Sequence, residues 1–358
     1  MKRSGCKTVI SALVVQFVLL LSFSAFAEDV DKKFNKEFSV DGMEMLKINN
    51  RYGEVIVQNW DENKVVIEVL VTVKYPSLDK AEKYLSMIDI EFSNNDNTIG
   101  ATTKLDRNFR FKGGADRNFS IDYLVKMPTD FNLKLTNKYG KVEVGELSGH
   151  VQLAVKYGSL FVGKLSRGKE KPLNSVALSY GSAEITECGW TELTLRYADR
   201  VSVGTAKALL VDSKHSKLYI DEVSTIVANS RYDHIEVAVV TNVVAEGAYT
   251  GFEFETIKGK LDITTGYGFI KVEEIMSGFE MVDIESKYCK VKLGFDDEAS
   301  YMLNVESSYA SVSFDEDNAE ITKRIQDNSR KTIEARMGNG ESESKVKIKA
   351  NYGSVRVD

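Results

Sequence analysis

Leu261-Asp262-Ile263-Thr264-Thr265-Gly266-Tyr267-Gly268-Phe269-Ile270-Lys271-Val272 is the stretch on which the reading of this chain turns. With Tyr267 as position zero, apolar residues stand at −6 and −4, a small or polar one at −2, glycine at +1, and apolar residues again at +3 and +5. Alternation of this kind is what a β-strand with one buried face requires. The apolar parity then changes from even to odd across the Tyr-Gly pair. A straight strand cannot keep both sets on one face, because a one-residue slip turns every side chain over. The pair therefore marks a bend or bulge, for which glycine is suited.

The same pattern surrounds Tyr52, Tyr139, Tyr157, Tyr180, Tyr197, Tyr232, Tyr249, Tyr267, Tyr288, Tyr309 and Tyr352, and His215 fills the slot once. The Tyr197 copy slips by one residue, with Val201 and Val203 in place of the usual pair. Ten copies run from Tyr139 to Tyr309 over 170 residues, an average spacing of 18.9. Each copy reads as two short strands and a turn of about six residues. Such a unit cannot bury its own apolar face, whereas stacked copies share a continuous core. At about 4.8 Å per step, ten copies make an array roughly 43 Å long. The expected fold is all-β: a β-solenoid, single-stranded and right-handed as a parallel β-helix, with a small α+β insertion near its N-terminal end. An outer-membrane barrel would need unbroken alternation over strands of about 10 residues, and a soluble antiparallel sandwich is the other rival. Parity with the buried −4 and −6 positions points the tyrosines inward, as a stacked ladder in the core; the alternative, outward rings, would make the column an aromatic platform for sugars or a partner protein.

The organisation expected along the chain has four parts. Residues 1–27 form a signal peptide: Lys2, Arg3 and Lys7 precede an apolar run, and Ala25-Phe26-Ala27 gives the cleavage pattern. Residues 28–138 hold the first copy and an insertion or cap. In that insertion Leu78, Ala81, Leu85 and Ile88 fall at helical spacing after Ser77, and strands are expected near 65–73, 99–105 and 121–127. Residues 139–314 are the regular repeats. Residues 315–358 are a polar excursion followed by a final copy at 346–357.

Charge and composition exclude several functions. The formal charge is −6 overall, and −9 once the three basic leader residues are removed. A general nucleic-acid binder carries a basic field instead. Three histidines, His150, His215 and His234, offer no set of metal ligands by spacing. His215 stands in the tyrosine slot, and His234 lies one copy further on. Cys188 and Cys289 are about six copies apart, too far for a disulfide, so two free thiols are expected. Acidic residues such as Glu184, Asp199, Glu236 and Asp262 lie between apolar ones, as on a solvated strand face; Asp199 and Arg200 mark the irregular copy. No nucleophile triad, phosphate loop or zinc signature is present. No catalytic, cofactor-binding or metal-ligating residue is therefore assigned, no cofactor is expected, and the chain is read as a non-enzyme.

The strings Asn-Arg-Tyr-Gly-Glu-Val-Ile-Val, Asn-Lys-Tyr-Gly-Lys-Val-Glu-Val and Asn-Tyr-Gly-Ser-Val-Arg-Val resemble the bacterial "putative-adhesin" family of exported β-solenoid domains, common in Bacteroidetes. The resemblance spans roughly residues 44–358, although only six of the twelve copies keep glycine at +1. It implies an exported envelope or cell-surface protein of a Gram-negative bacterium that binds a protein or glycan ligand, without a transmembrane segment in the mature chain. The alternative is a periplasmic sensing or stress component; an enzyme acting on polysaccharide ranks third.

Overall fold

The computed structural model describes residues 28–340 and 343–358; the expected signal peptide lies outside them. Among the described residues the chain is all-β apart from one helix, and these strands form a single mixed sheet of 21 members. The N-terminal part comprises β1 (Glu28–Ser39), β2 (Met45–Arg51), β3 (Val55–Trp60), β4 (Lys64–Tyr75), α1 (Leu78–Ser86), β5 (Ile88–Asn95), β6 (Thr98–Leu105) and β7 (Asn118–Pro128). The repeats follow as β8 (Asn132–Lys138), β9 (Val142–Leu147), β10 (Val151–Lys156), β11 (Ser159–Leu165), β12 (Asn174–Lys214), β13 (Lys217–Arg231), β14 (His234–Ala248), β15 (Gly251–Gly266), β16 (Phe269–Ile275), β17 (Met281–Phe295) and β18 (Tyr301–Phe314). The chain ends with β19 (Ala319–Asp327), β20 (Arg330–Met337) and β21 (Lys345–Val357).

Successive repeats pair in parallel, residue for residue. Ile220 of β13 lies beside Val237 of β14, which lies beside Phe254 of β15, and Val272 of β16 pairs with Leu293 of β17. Parallel pairing between repeats rules out the antiparallel meander, barrel and sandwich. It also aligns equivalent apolar side chains: Leu261, Ile263, Ile270 and Val272 are all buried, as are their counterparts above and below. In β13 burial falls on Leu218 and Ile220, then Val223, then Ile226, Ala228 and Ser230. Parity therefore changes twice more within a repeat, without a loop. The expected six-residue turn is absent from the 17-residue copies, where strand runs almost from one tyrosine to the next.

The tyrosines overturn the inward reading. All twelve residues of the column, His215 included, have φ between 53° and 65°, in the left-handed region, where a bulky L-residue is strained by about 1–3 kcal/mol. That backbone flips the side chain at position zero itself, so counting parity from −4 fails there. Position −2 is the last inward one and fills the corner; it is small or polar in most copies, with Asn50, Asn137, Ser213, Ser230, Thr265, Ser286 and Ser307 all buried, and apolar in three, with Val155, Leu178 and Leu195 buried. The tyrosine rings point outward; those at positions 139 to 352 are 40–63% exposed. The hydroxyls of Ser213, Thr265 and Ser307 find no partner among the described residues. Replacing Thr265 by the near-isosteric valine removes a buried unpaired polar atom. It is expected to stabilise the fold by about 1 kcal/mol, read as a rise of about 1–3 °C in melting temperature.

Glycine at +1 has a different cause from the one expected. Of the six glycines only Gly353 has a positive φ. The constraint is close approach between repeats: a Cβ on Gly181 would lie 1.8 Å from the Gly158 carbonyl oxygen, and one on Gly158 2.0 Å from that of Gly140. Three of the six repeats without this glycine, those with Ser216, Asp233 and Cys289, use the side chain instead. The Ala198 amide donates to Ser216 Oγ, the Ser216 amide to Asp233 Oδ1, and the Gly268 amide to Cys289 Sγ.

Both ends are closed by antiparallel strands. At the N-terminal end β6 and β7 lie parallel to β2 and β3 as an additional layer. Onto this layer β5, β4 and β1 add in antiparallel fashion. A buried network ties it to the first copy: Tyr123 O–H donates to Thr103 Oγ1, which donates to Asn50 Oδ1. Burial pushes the Tyr123 hydroxyl up to about 12. The helix matches its expected position with three differences. Leu78 is exposed, and Ile88 begins β5; Ser77 caps through its carbonyl and not its side chain.

At the other end the excursion is the hairpin β19–β20, and β20 runs antiparallel to the first half of β18. The final copy does not lie at the end of the array. β21 inserts between β17 and β18, parallel to both, so the last strand in sequence occupies an interior position.

Candidate functional site: an outward aromatic ladder with a flanking cationic column

Register stacks the position-zero rings face to face. Tyr52, Tyr139, Tyr157, Tyr180, Tyr197, His215, Tyr232, Tyr249, Tyr267, Tyr288, Tyr352 and Tyr309 form one column, in that spatial order. Neighbouring centroids are 4.8–5.1 Å apart with interplanar angles of 2–17°. Phe119 tilts against Tyr52 at one end, 5.1 Å away. At the other end Tyr309 touches only Tyr352 within the column and is the most exposed ring. The order again places the final copy before the Tyr309 copy.

Stacking offsets part of the left-handed strain, since an aromatic pair contributes about 0.5–1.5 kcal/mol beyond area burial. Tyr267→Ala breaks two such contacts and is expected to cost about 1–3 kcal/mol. Tyr267→Gly loses the same contacts but relieves the backbone, so it is expected to be the milder change by about 1 kcal/mol. Thermal denaturation of the two variants checks the sign; a buried tyrosine would give the opposite order.

Because each ring covers its neighbours' faces, the column presents ring edges and hydroxyls to solvent. The residues at −1 line it on one side. Lys138 Nζ lies 4.7 Å from the Tyr139 ring centroid and 5.9 Å from that of Tyr157. Lys156 lies 5.2 Å and 5.7 Å from those of Tyr157 and Tyr180, and Lys287 lies 5.7 Å from that of Tyr288.

The titratable residues singled out in the sequence fall elsewhere. His215 is a rung of the ladder. His150 is buried and its ring bonds the Leu173 carbonyl oxygen at 3.0 Å. Arg200 packs over the Tyr219 ring, 4.5 Å from its centroid. Cys188 and Cys289 are free and buried, and burial pushes the Cys188 thiol up to about 11, which leaves it poorly reactive.

One cluster was not foreseen. His234 Nε2 and a carboxylate oxygen each from Glu236 and Glu253 lie within 4.8 Å of one another, because Glu236 pairs with Glu253 across adjacent repeats. The cluster supplies three donors, one fewer than a closed zinc site, and Lys271 Nζ lies 4.0 Å from Glu253. Two carboxylates this close lie somewhat inside the separation of about 5–5.5 Å used by a retaining glycosidase. Acid and base are told apart, however, by unlike surroundings, and these two share His234 and one partly exposed sheet face.

No family model matches the chain, and no curated protein matches it. Among solved structures it is similar to a "putative adhesin" from Bacteroides fragilis, at 10% identity and a TM-score of 0.29, covering 91% of this chain and 97% of that one. It is also similar to a "putative lipid binding protein" from Parabacteroides distasonis, at 14% identity and a TM-score of 0.36, covering 67% and 96%. A "putative adhesin" from Parabacteroides merdae gives 12% identity and 0.30, with the same coverage. The adhesins among them carry the family label that the Tyr-Gly strings resemble. Among the described residues, no helix is long and apolar enough to cross a membrane.

Proposed function

We infer that this chain is an exported, non-enzymatic binding scaffold, a β-solenoid whose ladder face is presented to a protein or glycan partner in the bacterial envelope or at the cell surface. The observation that carries the reading is the column of twelve rings held outward at a cost in backbone strain. A fold that needed only a core would place such rings inside, where burial is worth more. Strained backbone retained at every repeat is the pattern of a site and not of a spacer. In this reading the array is a single-stranded, right-handed parallel β-helix. Residues 28–138 contain its N-terminal cover, 139–314 the regular copies, and 315–358 the excursion and the inserted copy. Tyrosine suits such a face, having a large rigid body and a polar tip.

Protease treatment of intact cells expressing an epitope-tagged copy, beside a lysed control, tests the placement. Digestion in intact cells is the expected result. Protection until the outer membrane is opened would move the scaffold to the periplasm and favour an envelope-system partner. Protection until the cytoplasm is released would overturn the reading.

A further inference from the structure

We propose that the −1 column beside the tyrosines is a binding strip for an extended acidic polysaccharide, a chain with about one carboxylate or sulfate per sugar. The inference rests on reading the ladder as a binding face and adds the class of ligand.

Arg51, Lys138 and Lys156 are in direct register on three successive repeats. After Ser179, Arg196, Lys214 and Arg231 precede the consecutive rings Tyr197, His215 and Tyr232. Six cations thus border seven rungs, a run of about 29 Å at the spacing of paired strands. Only Arg196 has a carboxylate partner, Asp212 at 2.6 Å; the other five make no ion pair among the described residues. Several cations elsewhere on the sheet do find carboxylates. Lys141 bridges Glu54 and Glu143, Lys271 reaches Glu253 and Glu273, and Lys349 meets Glu285. An acidic protein with carboxylates to spare has left five of the six cations in this column without an ion pair among the described residues. Like charges directly opposite one another on a sheet are destabilising. Cation–π attraction to the neighbouring rings offsets part of this only at Lys138 and Lys156 among the six. A linear polyanion would neutralise the whole column and release its own counterions.

The geometry selects among polyanions. Single-stranded nucleic acid is held by stacking bases on aromatic faces, and here those faces are covered by the next ring. An anionic membrane is broad, whereas this strip is one residue wide. In the next outward column, at −3, the exposed Asp212 lies beside the strip and the exposed Glu246, Glu285 and Glu306 continue the column beyond it, beside Tyr249, Tyr288 and Tyr309; a broad anionic surface would meet and be repelled by all four. A polysaccharide chain lying along the ladder is narrow, and one pyranose is close to one rung in length. Its hydroxyls would meet the tyrosine hydroxyls while its acidic groups meet the cations.

The test is binding of the mature chain to immobilised polygalacturonate, neutral dextran, oligo-dT and phosphatidylglycerol vesicles, measured across a salt series. Two double reversals, Lys138→Glu with Lys156→Glu and Lys214→Glu with Arg231→Glu, are compared with Lys36→Glu with Lys112→Glu. The last makes the same charge change at exposed sites off the ladder. Polygalacturonate is expected to bind best, with affinity falling as salt rises. Each ladder reversal should weaken it about tenfold or more, and the control about twofold or less. All sites reversed are surface positions, and unchanged circular dichroism confirms folding. Equal loss in ladder and control variants, tighter binding to oligo-dT or vesicles, or no salt-sensitive binding to polygalacturonate would each overturn the proposal. Binding of dextran that survives the reversals but is lost in Tyr157→Ala would overturn it while keeping the scaffold reading. Protection of the chain inside the cytoplasm would remove the scaffold reading itself.

Discussion

Deleting residues 345–358 is expected to unfold the C-terminal end of the array, lowering the melting temperature by more than about 10 °C. In a simple stack the last copy contacts one neighbour, and its loss subtracts one interface. Here β21 contacts two, β17 on one side and β18 on the other. It buries Val346, Ile348, Val355 and Val357 at 0–1% exposure, each worth about 1.5–3 kcal/mol when fully buried. It also carries Tyr352, the ring that joins Tyr288 to Tyr309. Ile348→Asp, which keeps the chain length, should reproduce much of the loss by placing a carboxylate between two apolar layers. Native-like melting of both variants would mean that β18 closes directly onto β17 and that the inserted order is not required.

Gly181→Val is the second large effect. Its Cβ would stand 1.8 Å from the Gly158 carbonyl oxygen and 3.0 Å from the carbonyl carbon, both backbone atoms that cannot rotate aside. Two repeats would have to separate locally, breaking parallel pairing on both sides, with an expected cost of about 3 kcal/mol or more. Gly114→Ala is the control: nothing lies within 4 Å of its added Cβ, and its expected effect is within about 0.5 kcal/mol. Thermal or denaturant melting of the pair decides the matter, and equal stability would remove close approach as the reason for glycine at +1.

Much of this architecture was legible in the spacing of one residue type. The repeat, its strand character and the parallel stacking of equivalent positions follow from alternation and period. The direction of the tyrosines did not. Parity counting assumes extended backbone throughout, and a left-handed residue at the corner breaks that assumption at the very position being counted. The corner could have been placed from −2, where Ser213, Ser230, Ser286 and Ser307 are too small and polar for an ordinary core site. The inserted last copy was hidden for another reason. Near-identical repeats can sit beside any other copy, so chain order and spatial order need not agree. β1 was missed because Asp-Val-Asp-Lys-Lys-Phe reads as polar surface; it pairs only along β4. The cationic column was visible at −1 all along, but attention to apolar positions passes over it. The Glu236–Glu253 approach, by contrast, needs the cross-repeat register.

The outward ladder is the claim on which both functional readings depend, and cysteine accessibility measures it directly. Cys188 and Cys289 are buried and silent in the folded chain. A single cysteine is introduced as Tyr232→Cys or as Ser230→Cys, two residues earlier and fully buried, and the purified mature protein is exposed to a maleimide. Rapid labelling at 232, with labelling at 230 only after denaturation, is the predicted result. Rapid labelling at 230 with protection at 232 would put the rings back in the core and contradict the account.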